Sequence, residues 1–239
     1  MNTQTHILVA AAIFARPGRE NRARNVAALT GAMAPDIVIF AMFAWSKVTG
    51  APESEVWRTW YFTPPWQTAI DWTNSVPLMA ALLLAVWIVR RRPAALTGLL
   101  AFMTVFALSG LTHVAGDLPL HVNDGHAHFI PLSDWRFVSP VSYWDPNHFG
   151  TSVGLIEIVL GVTLIVILWR RFSDVVTRLL LALALPVYAV PYIWFVLLGG
   201  HADHDTTPAR REDPAARAVQ VGGLGPVCKG RFDPGRDGA

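Results

Sequence analysis

The sequence predicts an all-α protein: a multi-pass transmembrane bundle of about five to six helices with a His/Asp-rich loop outside the membrane. Only 15% of the 239 residues are charged and 53% are hydrophobic, whereas soluble domains carry roughly 25% charged residues. The apolar residues also fall into long blocks separated by short polar stretches. Such blocks are typical of helices that cross a bilayer.

The first segment, at about residues 3–15, has no basic residue before its apolar run, so we interpret it as a retained helix rather than a secretory signal. It is short compared with the roughly 20 residues of a full span. A polar loop with four arginines follows at 16–25. The second segment, 26–46, contains Pro35-Asp36 in its middle, where proline should kink or interrupt the helix.

Residues 47–70 are predicted to form an outside loop, because their Trp, Tyr, Pro and Thr residues suit the interface between acyl chains and water. Four more apolar segments follow, and the last tolerates prolines if neighbouring helices satisfy the freed carbonyl groups. Their expected bounds are about 71–89, 94–116, 151–169 and 175–199.

Residues 1–200 are therefore predicted to be one integral membrane domain, and the Gly-, Pro-, Arg- and Asp-rich residues 201–239 a disordered tail. The short His/Asp run at 201–205 is interpreted as incidental. The single cysteine, Cys228, has no partner for an internal disulfide. The arginines cluster beside apolar blocks and not on a basic face with aromatics, so no nucleic-acid partner is expected.

The arginines also predict the orientation. Those at 16–25, Arg90–Arg92 and Arg170-Arg171 fall on one side if every segment crosses, and the positive-inside rule makes that side cytoplasmic. The N-terminus, the 47–70 loop and the His/Asp stretch are then outside. We expect a bacterial inner-membrane location with the site toward the outer face, and Asp36 halfway across.

The candidate site centres on residues 113–148, which hold five of the eight histidines with interleaved aspartates. Imidazole nitrogen and carboxylate oxygen are ligands for zinc, manganese and iron. His113 and Asp117 are four apart, so a helix would stack them on one face. Pro119 makes it doubtful that the same helix reaches His121. The alternative is a buried histidine whose tautomer is set by the aspartate.

Other ionisable residues are candidates to join this pair. Asp36 would be either a ligand or a capping or kink residue after the break at Pro35. His6 would either lie in the membrane interface or be aimed at the site by the first helix. Asp71 is a second-tier candidate, with capping of the third segment as its more favoured role. Four further residues are either metal ligands or part of a solvated loop, and the sequence leaves both roles open: His121, Asp124, His126 and His128.

Farther along the chain, Arg136 lies among hydroxyl groups that include Ser142 and Tyr143, a set that suits an anionic group such as phosphate. The alternative is a loop packed by aromatics on the bilayer surface. Asp145 and His148 would either complete the metal shell or cap the fifth segment. Glu157, inside that segment, is a further candidate to face the same cavity.

Three motifs resemble the membrane-bound metal-dependent hydrolase family: Thr5-His6, the Gly/Ala-rich run from Gly31 to Asp36, and HVAGD from His113 to Asp117. That family consists of small multi-pass bacterial inner-membrane proteins with a metal centre. HVAGDLPLH, ending at His121, also resembles a segment of zinc-dependent phospholipase C that binds its metal cluster. The resemblance implies that His6, Asp36, His113, Asp117 and His121 are ligands.

One motif departs from the family, which has an H-R-x-x-T-H-S run where this chain has IDWTNSVPL, with Asp71 and Asn74 but no histidine. Either His126 or His128 compensates, or the centre holds fewer metals, or catalysis has been lost.

The expected function is metal-assisted hydrolysis of a phosphoester in a lipid or another amphiphilic substrate. One or two divalent ions, zinc first and manganese or iron next, would activate water. Asp124 or His126 would be the base, and Arg136 would anchor developing negative charge. The alternatives are metal binding or transport without hydrolysis, and haem ligation by two histidines. The expected metal ligands are His6, Asp36, His113, Asp117, His121 and His128.

Overall fold

The structure, a computed structural model, describes residues 1–90 and 96–192 and confirms the all-α prediction, because these residues form helices and no β-strand. Part of the arginine turn after Arg90, the end of the sixth segment and the tail 201–239 lie outside the described residues. The helices are α1 Thr3–Phe14, α2 Arg22–Met33, α3 Ile37–Thr49, α4 Glu53–Arg58, α5 Trp66–Thr73, α6 Val76–Val89, α7 Thr97–Asp117, α8 Gly150–Arg171 and α9 Val175–Tyr192.

Four described helical stretches are long and apolar enough to cross a membrane, and α1 and α9 supply shorter apolar helices. Apolar side chains on the outside of α6, α8 and α9 are exposed, which is the pattern of helices in contact with lipid. These features are compatible with a membrane protein. The four stretches are Arg19–Thr49, Trp66–Val89, Thr97–Leu120 and Gly150–Arg171.

The predicted break at Pro35-Asp36 is confirmed: α2 ends at Met33, a 3-10 turn covers Ala34–Asp36, and α3 follows. The prediction was wrong about where this segment begins, since α2 already starts at Arg22 inside the expected loop. Arginine and alanine favour the helix there. The Arg24 side chain also donates to the carbonyl of Phe14 at 2.6 Å, which ties the start of α2 to the end of α1.

The expected loop at 47–70 is also more ordered than predicted, because it contains α4 and α5. Acidic residues in the first turn of α4 and Arg58 in its last turn complement the helix dipole. Asp71 does not cap the third segment, since it lies inside α5. The hydroxyl of Ser75 instead accepts from the Leu78 amide at 3.2 Å and caps α6.

Small residues allow α2 and α7 to pack closely, as is common between membrane helices. A Cβ on Gly31 would lie 2.3 Å from the carbonyl oxygen of Phe106, so the two backbones are almost in contact. The hydroxyl of Ser109 donates to the Ala28 carbonyl at 2.5 Å. This contact fixes α7 beside the break that follows α2.

α1 packs against α8 and α9 through an apolar cluster that includes Leu8, Ala11, Leu164 and Leu168. Its 12 residues extend about 18 Å, less than the roughly 30 Å of a bilayer core. The helix therefore begins inside the bundle. Its first turn lies beside the end of α7 and the turn between α2 and α3, where the buried polar residues collect.

Candidate metal centre

His113, near the end of α7, is buried and oriented by a backbone group. Its Nδ1 lies 2.7 Å from the carbonyl oxygen of Ala32 in α2. Because a carbonyl only accepts, Nδ1 carries the proton, and in the neutral imidazole Nε2 carries the lone pair. Among the described residues Nε2 makes no well-oriented hydrogen bond, although carboxylate oxygens of Asp117 and Asp36 lie 3.0 and 3.5 Å away. Metal-binding histidines are commonly held in this way, with the second nitrogen donating to an outer acceptor.

Asp117 gathers the basic groups of the site. One oxygen, Oδ2, is 3.0 Å from His113 Nε2, so the predicted contact along one face of α7 is present. The other, Oδ1, is 2.8 Å from His6 Nε2 and 3.8 Å from His121 Nε2. The α-amino nitrogen of Met1 approaches the same oxygen to 2.5 Å. The carboxylate thus lies where positive charge is favoured.

α1 brings His6 from the other end of the sequence onto this pair. The rings of His6 and His113 are stacked, with centroids 3.6 Å apart and planes 13° from parallel. Gly116 makes the approach possible, because a Cβ there would lie 3.2 Å from His6 Cε1. The Nδ1 atom of His6 has no hydrogen bond within the described part of the chain.

Asp36 reaches the same place from the break between α2 and α3. Its Oδ1 is 3.5 Å from His113 Nε2, and its Oδ2 accepts from the Thr3 hydroxyl at 2.5 Å. The 3-10 turn at Ala34–Asp36 directs this side chain inward. The break predicted from proline therefore places a second carboxylate against His113.

His6, His113 and Asp117 form a buried group that could hold a metal ion, with one ligand atom from each lying within 4.8 Å of the others. A neutral His113 would direct its lone pair at two carboxylates, which is unfavourable unless a proton or a cation lies between them. A divalent cation would satisfy all of these groups together.

His121 follows the 3-10 turn Leu118–Leu120 and continues the polar cluster beyond α7, so the helix does end before it as expected. Its Nδ1 is 3.0 Å from Asp124 Oδ2, which also accepts from the Trp144 indole at 2.8 Å. Burial by itself would lower the pKa of His121, but hydrogen bonding to Asp117 and Asp124 outweighs burial and raises it to about 9.

His126 and His128 lie beside His121 in the same cluster of histidine rings. The ring centroid of His126 is 5.3 Å from that of His121 and 5.7 Å from that of His128. Burial lowers the pKa of His126 to about 3, so its imidazole is neutral and suits a ligand better than the expected base. His128 Nδ1 lies 3.3 Å from the Asn74 carbonyl oxygen, which leaves Nε2 with the lone pair.

Arg136 and Asp71 pair with each other instead of facing a substrate site. The guanidinium contacts the two Asp71 oxygens at 3.1 and 2.5 Å and donates to the Gly125 carbonyl at 2.7 Å. Asp71 also accepts from the Ala127 amide at 2.9 Å. The pair therefore fastens the histidine loop to α5, and the predicted anion-anchoring role does not fit an arginine already engaged in this way.

Replacing Asp71 with asparagine should loosen this loop. We expect Asp71→Asn to lower the free energy of unfolding by about 1–2 kcal/mol, less than a fully buried pair because Arg136 is partly exposed. Faster hydrogen exchange at the Ala127 amide would accompany the loss. Denaturation in detergent and exchange measured by mass spectrometry test this; Asp134→Asn, an exposed carboxylate of the same loop, is the control. Equal stability of both variants would contradict the role.

The second-tier residues lie at the margin of the cluster. Tyr143 contacts the His121 ring edge-on, with centroids 5.3 Å apart. The Ser142 hydroxyl accepts from the Trp144 and Asp145 amides and shapes the turn. The Asp145 carboxylate lies 2.7 Å from His148 Nδ1 and also accepts from the Asn147 amide. Asp145 therefore caps the 3-10 turn Pro146–His148 and not α8, whose N-cap residue is Phe149, so the expected cap on the fifth segment is not present.

Several groups of the site were not found from the sequence. The Ala32 carbonyl leaves no sequence signal, because any residue can supply it. The aromatics were interpreted as interfacial, yet the Tyr61 hydroxyl lies 3.4 Å from His126 Nε2 and the Trp144 indole binds Asp124. The signal that could have predicted these contacts is the polar group of each ring, because a buried tyrosine hydroxyl or indole N–H usually has a hydrogen-bond partner.

The fold and this cluster define a class: an all-α protein with helices of membrane-spanning length and a buried His/Asp group that could hold a metal ion. Comparison of the chain with protein-family models, with curated proteins and with solved structures finds no match.

Proposed function

We propose that the protein is a membrane-embedded, metal-dependent hydrolase that acts on a phosphoester of a lipid or other amphiphilic substrate. The observation that carries the proposal is the convergence of His6, His113 and Asp117, whose ligand atoms lie within 4.8 Å inside an apolar bundle. Asp36 adjoins them at 3.5 Å from His113. Together they form a histidine–carboxylate donor set suited to zinc, with manganese or iron as alternatives.

A bound divalent metal would supply Lewis-acid chemistry, activating water and polarising the scissile bond. The chain's own residues would hold and orient the reacting groups. His113 is oriented by the Ala32 carbonyl, and His121 and His128 extend the donor set toward the loop. Asp124, beside His121, is placed to accept a proton from water, and His126, kept neutral by burial, would serve as a further donor to the metal.

The chain's departure from the family motif has a structural counterpart that supports this proposal. At the position of the family's missing histidines, this chain has Asp71 in α5 and Asn74 directly after that helix. The loop histidines lie against these residues: the Ala127 amide donates to Asp71, and His128 contacts the Asn74 carbonyl. His126 and His128 therefore occupy the region from which those histidines would come. This arrangement favours compensation by the loop over loss of the centre.

The amphiphilic substrate is supported by the surface beside the site. Phe129, Leu132 and Trp135 are exposed, and Leu132 is 81% exposed. This segment is fastened to the start of α6, where Ser75 donates to the Ile130 carbonyl at 2.5 Å. Exposed apolar and aromatic side chains at the end of a membrane helix favour the interface with lipid. A lipid headgroup would then reach the histidine loop from the bilayer.

The proposed location is a bacterial inner membrane, with the site toward the outer face. The end of α1, the start of α2 and the end of α8 meet at one end of the bundle, where Arg24 and Arg171 bind carbonyl groups of α1. The His/Asp cluster lies at the other end of α1. The positive-inside rule places the arginine end in the cytoplasm.

Metal binding or transport without hydrolysis is the alternative function. A transporter needs a polar route through the bundle. Residues 26–33 of α2 and 97–112 of α7, both within the described ranges, contain no ionisable side chain, and Gly31 packs directly on the Phe106 backbone. The stacking of His6 on His113 at 3.6 Å also leaves no space for a porphyrin between these two rings, which disfavours haem.

Metal removal and restoration test the proposed function. The purified protein in lipid nanodiscs should contain stoichiometric metal and should hydrolyse a fluorescent phospholipid at its phosphoester. We expect a chelator to abolish turnover and added zinc to restore it, because the metal activates the attacking water. Manganese and iron reconstitution identify the preferred ion. Stoichiometric metal without turnover on lipid or soluble phosphoesters would favour the transport alternative.

A further inference from the structure

Glu157 is a buried carboxylate that the proposed chemistry does not use. It lies in the apolar helix α8 and is 3% exposed. An ionisable group within a membrane helix is costly unless it has specific partners, and it commonly marks a functional position. Its partners are therefore the guide to its role.

Within the described part of the chain, Glu157 forms its hydrogen bonds with Asn2 and Thr5, at the beginning of α1. The carboxylate accepts from the Asn2 amide at 2.6 Å, from the Asn2 side chain at 2.9 Å and from the Thr5 hydroxyl at 2.6 Å. The Asn2 side chain makes no cap of its own within the described part of the chain. Glu157 thus caps α1 from another helix and places a negative charge at its positive end.

Arg171 binds the opposite end of α1. Its guanidinium donates to the carbonyls of Ala12 and Ala15, at 2.6 and 3.3 Å. The 14 residues from Glu157 to Arg171 correspond to about 21 Å of helix, close to the length of α1. Both charges interact favourably with the dipole of α1, since Glu157 lies at its positive N-terminal end and Arg171 at its negative C-terminal end. α8 therefore holds α1 at both ends and sets its axial position.

The axial position of α1 determines whether His6 reaches the metal centre. Thr5, the next residue, faces α8 and α9, where its hydroxyl contacts Glu157 and the Tyr188 hydroxyl at 2.8 Å. His6 faces α7, with Nε2 2.8 Å from Asp117 Oδ1. A shift of α1 by one residue, about 1.5 Å, would remove His6 from this contact.

We propose that Glu157 is a positioning residue for the metal centre, which acts by holding α1 so that His6 meets His113 and Asp117. The inference rests on the metal centre of the proposed function and is independent of hydrolysis. Glu157 itself is no ligand in this scheme, because its oxygens are taken by donors of the α1 first turn.

A double-mutant cycle with His6 tests the role. Zinc affinity of the full-length protein in nanodiscs would be measured for the wild type and for three single variants, Glu157→Gln, Thr5→Val and His6→Ala. Glu157→Gln and Thr5→Val would also each be combined with His6→Ala. We expect Glu157→Gln and Thr5→Val to weaken zinc binding about 10- to 100-fold, as loss of outer-shell partners does. In the His6→Ala background neither change should weaken binding further. Thr163→Val is the matched control and should bind as the wild type, because the Thr163 hydroxyl donates to the Val159 carbonyl of the same helix.

The outcomes separate the two proposals. An equal loss in the presence and absence of His6 would mean that Glu157 supports the bundle generally, and would overturn its positioning role. Wild-type zinc affinity in both Glu157→Gln and Thr5→Val would also overturn the positioning role, but it would not contradict the proposed metal centre. Absence of zinc binding by the wild-type protein would overturn the metal centre and this role together.

Discussion

Replacing His113 with alanine should abolish stoichiometric metal binding. His113 is the residue on which the cluster converges: its Nε2 faces Asp117 at 3.0 Å and Asp36 at 3.5 Å, and its ring stacks on His6. Its removal would take away a proposed ligand and leave two carboxylates close together without the group between them. We expect affinity for zinc to fall more than ~100-fold, beyond the ~10- to 100-fold that loss of an outer-shell partner causes.

Metal analysis after purification and competition titration with a chromogenic chelator measure this effect. His148→Ala is the matched control, because His148 is part of the same sequence stretch but pairs with Asp145 outside the cluster. It should retain full metal content. If His113→Ala kept stoichiometric metal while remaining folded, the ion would have to bind elsewhere and the assignment of the centre would fail.

Gly31→Ala should destabilise the bundle and weaken the centre together. The added Cβ would lie 2.3 Å from the Phe106 carbonyl oxygen, a backbone atom that cannot rotate away, so α2 and α7 must separate. We expect a loss of about 1–3 kcal/mol of stability, the usual cost of overpacking. The separation would also move Asp36 and the Ala32 carbonyl away from His113, so metal affinity should fall as well.

Denaturation in detergent and zinc titration of the same samples test both effects. Gly154→Ala is the control, since a Cβ at this position of α8 would meet no described atom within 4 Å. It should be neutral or slightly stabilising, because alanine favours helix over glycine. Unchanged stability in Gly31→Ala would show that α2 and α7 are not packed as closely as the contact with Phe106 requires.

Local features of the sequence were sufficient to predict part of the site. His113 and Asp117 are four residues apart on one helix, and that spacing alone brings their side chains together. The break at Pro35-Asp36 follows in the same way, because proline cannot continue the hydrogen-bonding pattern of a helix. The proposed roles of these residues as metal ligands stay predictions.

Arg136 and Asp71 show where such reasoning stops. Arg136 was expected to anchor a substrate anion and Asp71 to cap a helix, both reasonable for isolated residues of these types. They lie 65 positions apart and form a salt bridge that fastens the histidine loop to α5. Neither residue type nor spacing indicates a partner so distant, because that contact depends on how α5 and the loop pack.

The sequence by itself determined the class of the protein: long apolar blocks with few charges require helices that satisfy their own backbone hydrogen bonds. It also determined the His113–Asp117 pair, through the period of the α-helix. The resemblance implied that His6 and Asp36 join that pair, and the tertiary structure brings them there; only the tertiary structure decided that Glu157 and Arg171 hold α1 in place. These contacts join residues far apart in the chain, and they arise from the close packing of α2 on α7 and of α1 on α8.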